Sequence, residues 1–181
     1  QANRDFPQIV VDRIASALNP SYPPLPDTVA ILTTSGSTGN PRAVEFNASS
    51  LTALNGYINS GQVIDQHFDS PLQWIVALPV TSVGGFNVLT RAIDSGLTPL
   101  ALESVAGAAA FSVDEVVSAV QQSGDSPAAI SLVPTQLRRL LGSEAGTDAL
   151  KRCALVIVGG SSTPVSDQIR CRDEGIFAVF S

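Results

Sequence analysis

Between Thr33 and Arg42 the chain reads Thr-Thr-Ser-Gly-Ser-Thr-Gly-Asn-Pro-Arg, a run of residue types able to hold a polyphosphate. Gly36 and Gly39 let successive backbone N–H groups turn toward one point, because no Cβ blocks positive φ. A concavity of that kind binds anions. Thr34, Ser35, Ser37 and Thr38 add hydroxyls that rotate toward phosphate oxygens. Pro41 stiffens the exit, and Arg42 contributes a permanent cation able to grip two phosphate oxygens at once. The alternative is a Ser/Thr/Gly surface linker. Against it, the run directly follows an apolar segment, Val29–Leu32, and ends in Pro-Arg rather than in more small residues. It is not a Walker-type loop, which needs Gly-Lys-Ser/Thr opening a helix; here a strand-like segment, Ala43–Phe46, follows.

Three further places carry groups that could meet a ligand. Gly159-Gly160 would let a flat molecule lie against bare backbone; the alternative is a plain turn with Ser161, Ser162 or Thr163 capping the next helix. Gly84-Gly85 is either close packing of a helix on a sheet or room for a substrate. Thr135, just after Pro134, is either an N-terminal helix donor or a substrate contact. Trp74 lies in an apolar run and reads as core. His67, the only histidine, sits in a polar loop, so no Ser-His-Asp set can be drawn. Glu103, Asp114 and Glu115 read as solvated or capping positions. Cys153 and Cys171 have no metal-ligand spacing and read as two buried or idle thiols, the alternative being one disulfide. With no metal cluster and no evident nucleophile, any catalysis would be electrostatic and positional.

These groups need elements to place them. Apolar spacing over Asp5–Leu18 predicts a short amphipathic helix, and Asn19–Pro26 a proline-rich connector. Val29–Leu32 and Ala43–Phe46 read as strands on either side of the clamp. Asn47 caps a helix over 48–59 that closes near Gly61. From Leu72 onward strands and helices alternate. Strands are expected at 72–79, 98–102, 128–133, 154–158 and 176–180. Helices are expected at 86–94, from a Ser112–Glu115 capping box, at 134–141 and at 165–174. That pattern predicts an α/β fold, a mainly parallel sheet with flanking helices. Ligands in such sheets bind outside the carboxyl ends of the strands. The loops there are the clamp, Pro79–Phe86, Val133–Gln136 and Gly159–Pro164.

Composition narrows the class. Of 181 residues, 44% are hydrophobic and 14% charged, which fits a well-buried globular chain rather than disorder. A net charge of −6 argues against non-specific nucleic-acid binding. No run reaches the ~18 apolar residues of a membrane span, and no signal peptide opens the sequence. The expected setting is cytoplasmic. Methionine is absent, the first residue is Gln1, and the last residues, Ile176–Ser181, read as a core strand. The expectation is an excerpt of a longer polypeptide.

The order Ser35-Gly36-Ser37-Thr38-Gly39-Asn40-Pro41-Arg42 is similar to the phosphate-binding motif of the adenylate-forming superfamily, which includes acyl-CoA synthetases, adenylation domains and luciferases; that family usually has Lys where Arg42 stands. Trp74–Ala92 and Ile130–Leu137 resemble the corresponding segments of o-succinylbenzoate–CoA ligases of menaquinone biosynthesis. Leu155–Pro164 is similar to the family's adenine-binding segment. The resemblance implies residues 1–27 as an N-terminal helix and connector. It makes residues 28–181 part of an ATP- and acyl-binding N-terminal domain, with no C-terminal domain. It implies ATP-dependent activation of a carboxylic acid through an acyl-adenylate, then transfer to coenzyme A, with ATP, Mg2+ and coenzyme A as the small molecules. Thr34, Ser35, Gly36, Ser37, Thr38, Gly39 and Arg42 would hold the phosphates. Gly159, Gly160 and Ser161 would line the adenine, and Ser82, Gly84, Gly85 and Thr135 would border the acyl pocket. Two departures stand out: Ser82 occupies a position where the family often has His, and Ser161 the third place of a Gly-Gly-Gly or Gly-Gly-Ala run. The family's magnesium-holding Glu and catalytic Lys would fall beyond Ser181, so these residues alone are expected to be inactive. Another aryl- or acyl-CoA synthetase is the alternative, as is a non-catalytic nucleotide-binding module derived from one. The partners implied are the acid, ATP and coenzyme A, without nucleic acid or membrane span; a homodimer is compatible.

Overall fold

A computed structural model describes residues 27–34, 42–106 and 109–181, with side chains of 33, 34, 42 and 106 left aside. The helix expected over Asp5–Leu18 and the connector over Asn19–Pro26 lie outside the described residues. The chain forms two compact units, residues 1–52 and 53–181.

In the first unit, β1 (Thr28–Thr34) pairs antiparallel with β2 (Arg42–Asn47), in a register that sets Thr34 opposite Arg42. Helix α1 (Ala48–Asn59) then begins, and the Asn47 side chain accepts a hydrogen bond from Ser50 N–H at 2.8 Å. Both expected strands and the cap are present.

The second unit is built on a parallel five-stranded sheet in the order β4-β3-β5-β6-β7. The strands are β3 (Gln73–Val76), β4 (Leu100–Ala101), β5 (Ala128–Leu132), β6 (Cys153–Val158) and β7 (Ala178–Phe180). The helices are α2 (Val83–Ser95), α3 (Val113–Gln122), α4 (Pro134–Leu141), α5 (Glu144–Arg152) and α6 (Val165–Asp173). Both faces of the central strands are buried, as their near-continuous apolar sequences require. On one face Ile75, Ile130, Leu132, Val156 and Val158 pack with Val116, Val120, Leu137, Leu140 and Leu150 from α3, α4 and α5. On the other, Trp74, Val76, Ala129 and Leu155 pack with Val88 and Ala92 of α2. The two-residue alternation along β3, β5 and β6 divides these sets between the faces.

Trp74 is fully buried, as its apolar surroundings predict, and its indole N–H donates to Asn59 Oδ1 at 2.9 Å. The buried Arg91 guanidinium lies over its ring at 5.3 Å. Burial lowers the Arg91 pKa to about 10.

The strands expected at 72–79, 98–102, 128–133 and 176–180 are shorter in the structure, and the helices differ from expectation in three ways. Helix α2 starts at Val83, so Gly84 and Gly85 lie in its first turn rather than in the preceding loop. Helix α5 was not anticipated; Ser143 caps it, accepting from Gly146 N–H at 3.0 Å. Ser112 caps α3 by accepting from Asp114 N–H at 3.2 Å, one residue earlier than a capping box would.

Candidate active site

From β3 the chain leaves toward β4, at one edge of the sheet; from β5 it leaves toward β6, in the opposite direction. Strand order reverses between β3 and β5. In an open α/β sheet this switch point opens a crevice outside the carboxyl ends of the strands. The segments bordering it, loop 77–82 and the N-cap and first turn of α4 at 133–136, and the neighbouring loop 159–164, overlap three of the four stretches singled out from the sequence. At the ordinary strand spacing they span about 10 Å.

The loop after β3 is closed on itself. Ser82 Oγ donates to the Pro79 carbonyl at 2.7 Å and accepts from Gly85 N–H at 3.1 Å, while Ser82 N–H donates to the same carbonyl at 2.9 Å. Ser82 is thus the N-cap of α2. Gly85 is buried, and a Cβ there would stand 2.1 Å from the Pro79 oxygen and 2.7 Å from the Leu78 oxygen. Of the two sequence readings for this glycine, the structure supplies the packing one. Gly84 is exposed, and its Cβ would meet only Leu78 Cδ1, at 3.0 Å.

After β5, Pro134 occupies the first turn of α4, where a missing N–H costs nothing. Thr135 beside it is exposed. Gln136 turns back: Val133 N–H donates to its Oε1 at 3.0 Å, and its Nε2 donates to the Ala77 carbonyl at 2.9 Å.

The loop after β6 is different in kind. Gly159 N–H donates to Leu132 O at 3.0 Å, and a Cβ on Gly159 would lie 2.5 Å from Ser181 Oγ. Gly160 has φ +88°, the left-handed region that favours glycine. Gly160, Ser161 and Ser162 are exposed. None of the three hydroxyls caps α6: Pro164 holds the N-cap position, without a side-chain bond. Thr163 is buried, and its Oγ1 has no partner. A bidentate contact from Arg138 Nε and Nη2 to Asp167 Oδ2, at 3.1 and 3.0 Å, ties α4 to α6 behind these loops.

None of the site residues named in this unit is titratable. Their polar offering is backbone N–H groups, carbonyls and hydroxyls, which can bind and orient a ligand but hold no general base. The thiols are not nucleophiles here: Cys153 and Cys171 are buried and free, and burial pushes their pKa values to about 12 and about 11. His67 stands exposed, 3.9 Å from Asp69. Among the described residues no group of three His, Cys, Asp or Glu side chains could hold a metal ion. No helix among them is long and apolar enough to cross a membrane.

The clamp residues Ser35, Gly36, Ser37, Thr38 and Gly39 lie outside the described residues, as do the side chains of Thr34 and Arg42. What is described is the hairpin that brings Thr34 and Arg42 side by side. Gln136 was not among the sequence candidates. Its signal was its place two residues after Pro134, the N3 position at which a Gln side chain reaches back to the N-cap backbone.

No family model matches the chain. Over 138 residues it is 33% identical to a probable 2-succinylbenzoate–CoA ligase of Mycobacterium tuberculosis, an alignment covering 76% of this chain and 34% of the relative. The 2-succinylbenzoate–CoA ligase of Bacillus pumilus is 30% identical over 158 residues, covering 86% of this chain and 29% of the relative. The chain therefore spans about a third of the length of the curated relatives it matches. Among solved structures, o-succinylbenzoate CoA synthetase of Bacillus subtilis, in complex with the acyl-adenylate intermediate, superposes with a TM-score of 0.62 at 23% identity, over 85% of this chain and 29% of that one. A malonyl-CoA ligase product complex gives 0.62 at 18% identity, over 86% and 33%. At these identities the superpositions establish the fold: the parallel α/β sheet of the N-terminal domain of acyl-CoA synthetases. In sequence the chain is similar to 2-succinylbenzoate–CoA ligases over most of its length, and in fold to the N-terminal domains of acyl-CoA synthetases.

Proposed function

We propose that the whole protein carrying this chain is an adenylate-forming acid–CoA ligase whose acid is 2-succinylbenzoate, acting in menaquinone biosynthesis. The observation that carries the reading is the 33% identity over 138 residues to a 2-succinylbenzoate–CoA ligase, a stretch covering 76% of the chain. The topology supports it: a switch point whose loops carry small residues and exposed hydroxyls is where an open α/β sheet takes a ligand.

In this reading the adenine lies against the backbone of half-buried Gly159 and exposed Gly160, with Ser161 at its edge. The acid enters between the β3 and β5 loops, where Ser82, Gly84, Gly85 and Thr135 border it. Of these, Thr135 is exposed and free to turn its hydroxyl to a carboxylate. Ser82 and Gly85 act through the loop they hold in place. Thr34, Ser35, Gly36, Ser37, Thr38, Gly39 and Arg42 take the β- and γ-phosphates.

A carboxylate oxygen attacks the α-phosphorus and pyrophosphate leaves with the electrons of the broken P–O bond. The sulfur of coenzyme A then forms a bond to the acyl carbon, AMP leaves with the electrons of the broken acyl C–O bond, and the thiol proton passes to solvent. The residues of the second unit would hold the acid and the adenylate group close together and in line, which is where much of the rate in such a reaction originates. The described residues do not supply a Mg2+ site, so no step is assigned to the metal.

The test is ATP–pyrophosphate exchange by the whole protein. Exchange that depends on 2-succinylbenzoate, followed by thioester formation when coenzyme A is added, is the expected result. Exchange with a different aryl or fatty acid alone would reassign the substrate. No exchange with any acid, in a folded protein, would remove the enzymatic reading.

A further inference from the structure

We propose that Gln136 is a positioning residue: its side-chain amide straps the two lips of the switch-point crevice together and so sets the width of the acyl site. This inference rests on the function proposed above, but its structural half can be tested without it.

The β3 and β5 loops leave the sheet in opposite directions, so the backbone bonds of the sheet stop below the crevice and do not hold its lips. Sheet pairing of β3 with β5 ends at Ile75 and Ile130. Above that level, the described hydrogen bond between the two loops is the one from Gln136 Nε2 to the Ala77 carbonyl, at 2.9 Å and 59 residues apart in sequence. The other end of the same amide is fixed, because Val133 N–H must face an acceptor and so places Oε1 toward β5 and Nε2 toward β3. One planar group therefore joins the Val133 backbone to the Ala77 backbone.

On the far side of Ala77 the connection continues without slack. Ala77 precedes Leu78 and Pro79, whose carbonyls lie against Gly85 closely enough to exclude a Cβ. The Pro79 carbonyl also accepts from Ser82 Oγ and Ser82 N–H. A displacement of Ala77 is thus passed to Ser82, Gly84 and Gly85, and a displacement of Val133 to Thr135. Gln136 itself is only half-buried and belongs to neither core cluster, so its structural contribution is local.

The experiment compares Gln136→Met, which keeps length and loses both hydrogen bonds, with Gln136→Glu. At neutral pH the carboxylate still accepts from Val133 N–H but cannot donate to Ala77 O. Amide hydrogen exchange is read in the whole protein. Gln136→Met should speed exchange at Ser82, Gly85 and Phe86 by about tenfold or more, while amides of β6 keep their protection. Gln136→Glu should do the same at Ser82, Gly85 and Phe86 yet leave the Val133 amide protected. Unchanged exchange across 82–86 in both variants would overturn the proposal, and so would a uniform rise that includes β6.

Kinetics supply the functional half. In the active enzyme the KM for the acid should rise about tenfold in Gln136→Met, with the KM for ATP within about twofold of wild type. Equal changes in both constants would contradict a role confined to the acyl site. A wild-type enzyme inactive with every acid would sink the function reading alone, and the exchange pattern would still decide the strap.

Discussion

The loops that follow β3 and β6 end on the same edge of one sheet, yet they are built on opposite principles. In the first, Ser82 uses its hydroxyl twice and its N–H once within the loop, and Gly85 is pressed against two carbonyls. In the second, Gly160 and the two serines after it face outward, and no side chain caps the helix that follows. Each contains a pair of glycines. In both pairs one glycine removes a Cβ so that protein can touch protein, Gly85 against Pro79 and Leu78 and Gly159 against Ser181; the other glycine of the second pair, Gly160, is exposed at positive φ with only Val133 near it. A closed loop keeps its shape when empty and can set the outline of a substrate. The exposed backbone at Gly160 leaves a face which, on the function proposed above, takes a flat ring.

That contrast can be broken by adding single methyl groups. Gly85→Ala puts a Cβ 2.1 Å from a carbonyl oxygen that is itself held by Ser82, so neither partner can yield. Overpacking of this kind costs about 3 kcal/mol, and denaturant unfolding should show it whether or not ligand is present. Gly160→Ala meets no such wall, its nearest contact being Val133 Cγ1 at 3.4 Å. Its cost is the positive φ, about 1–2 kcal/mol, and its larger consequence should be weaker nucleotide binding in a titration of the folded protein. Ser82→Ala sharpens the comparison from the other direction. Loss of the cap should destabilise by about 1 kcal/mol. If Ser82 works only through the loop, Ser82→Asp, which can still accept from Gly85 N–H, should recover part of that stability.

The reading of the fold from sequence succeeded where patterns were local. Apolar runs of five to eight residues located all five strands of the large sheet, though not their ends. Helix α5 was hidden because Gly146 and Thr147 are weak helix formers. The structure shows why they are there: a Cβ at Gly146 would lie 2.4 Å from Leu140 O, and Thr147 Oγ1 donates to Ser143 O at 2.9 Å. The start of α2 was hidden by the same kind of exchange, since Gly84-Gly85 reads as loop until Ser82 is known to cap it. Gln136 could be placed on α4 from sequence, but its partner at Ala77 is fixed only by the pairing of β3 with β5. A contact between distant residues has no periodicity to betray it.

On the function proposed above, the carboxyl edge of this sheet holds an acyl-adenylate, its purine at Gly159–Gly160 and its acyl group between the β3 and β5 loops. A crystal structure of the whole protein with a non-hydrolysable sulfamoyl analogue of the 2-succinylbenzoyl adenylate tests it most directly. The account predicts the adenine ring at van der Waals distance, about 3.5–4 Å, from the backbone of Gly159 and Gly160, with the acyl chain between Ser82 and Thr135. An adenine bound elsewhere, with Gly160 facing solvent, would contradict it.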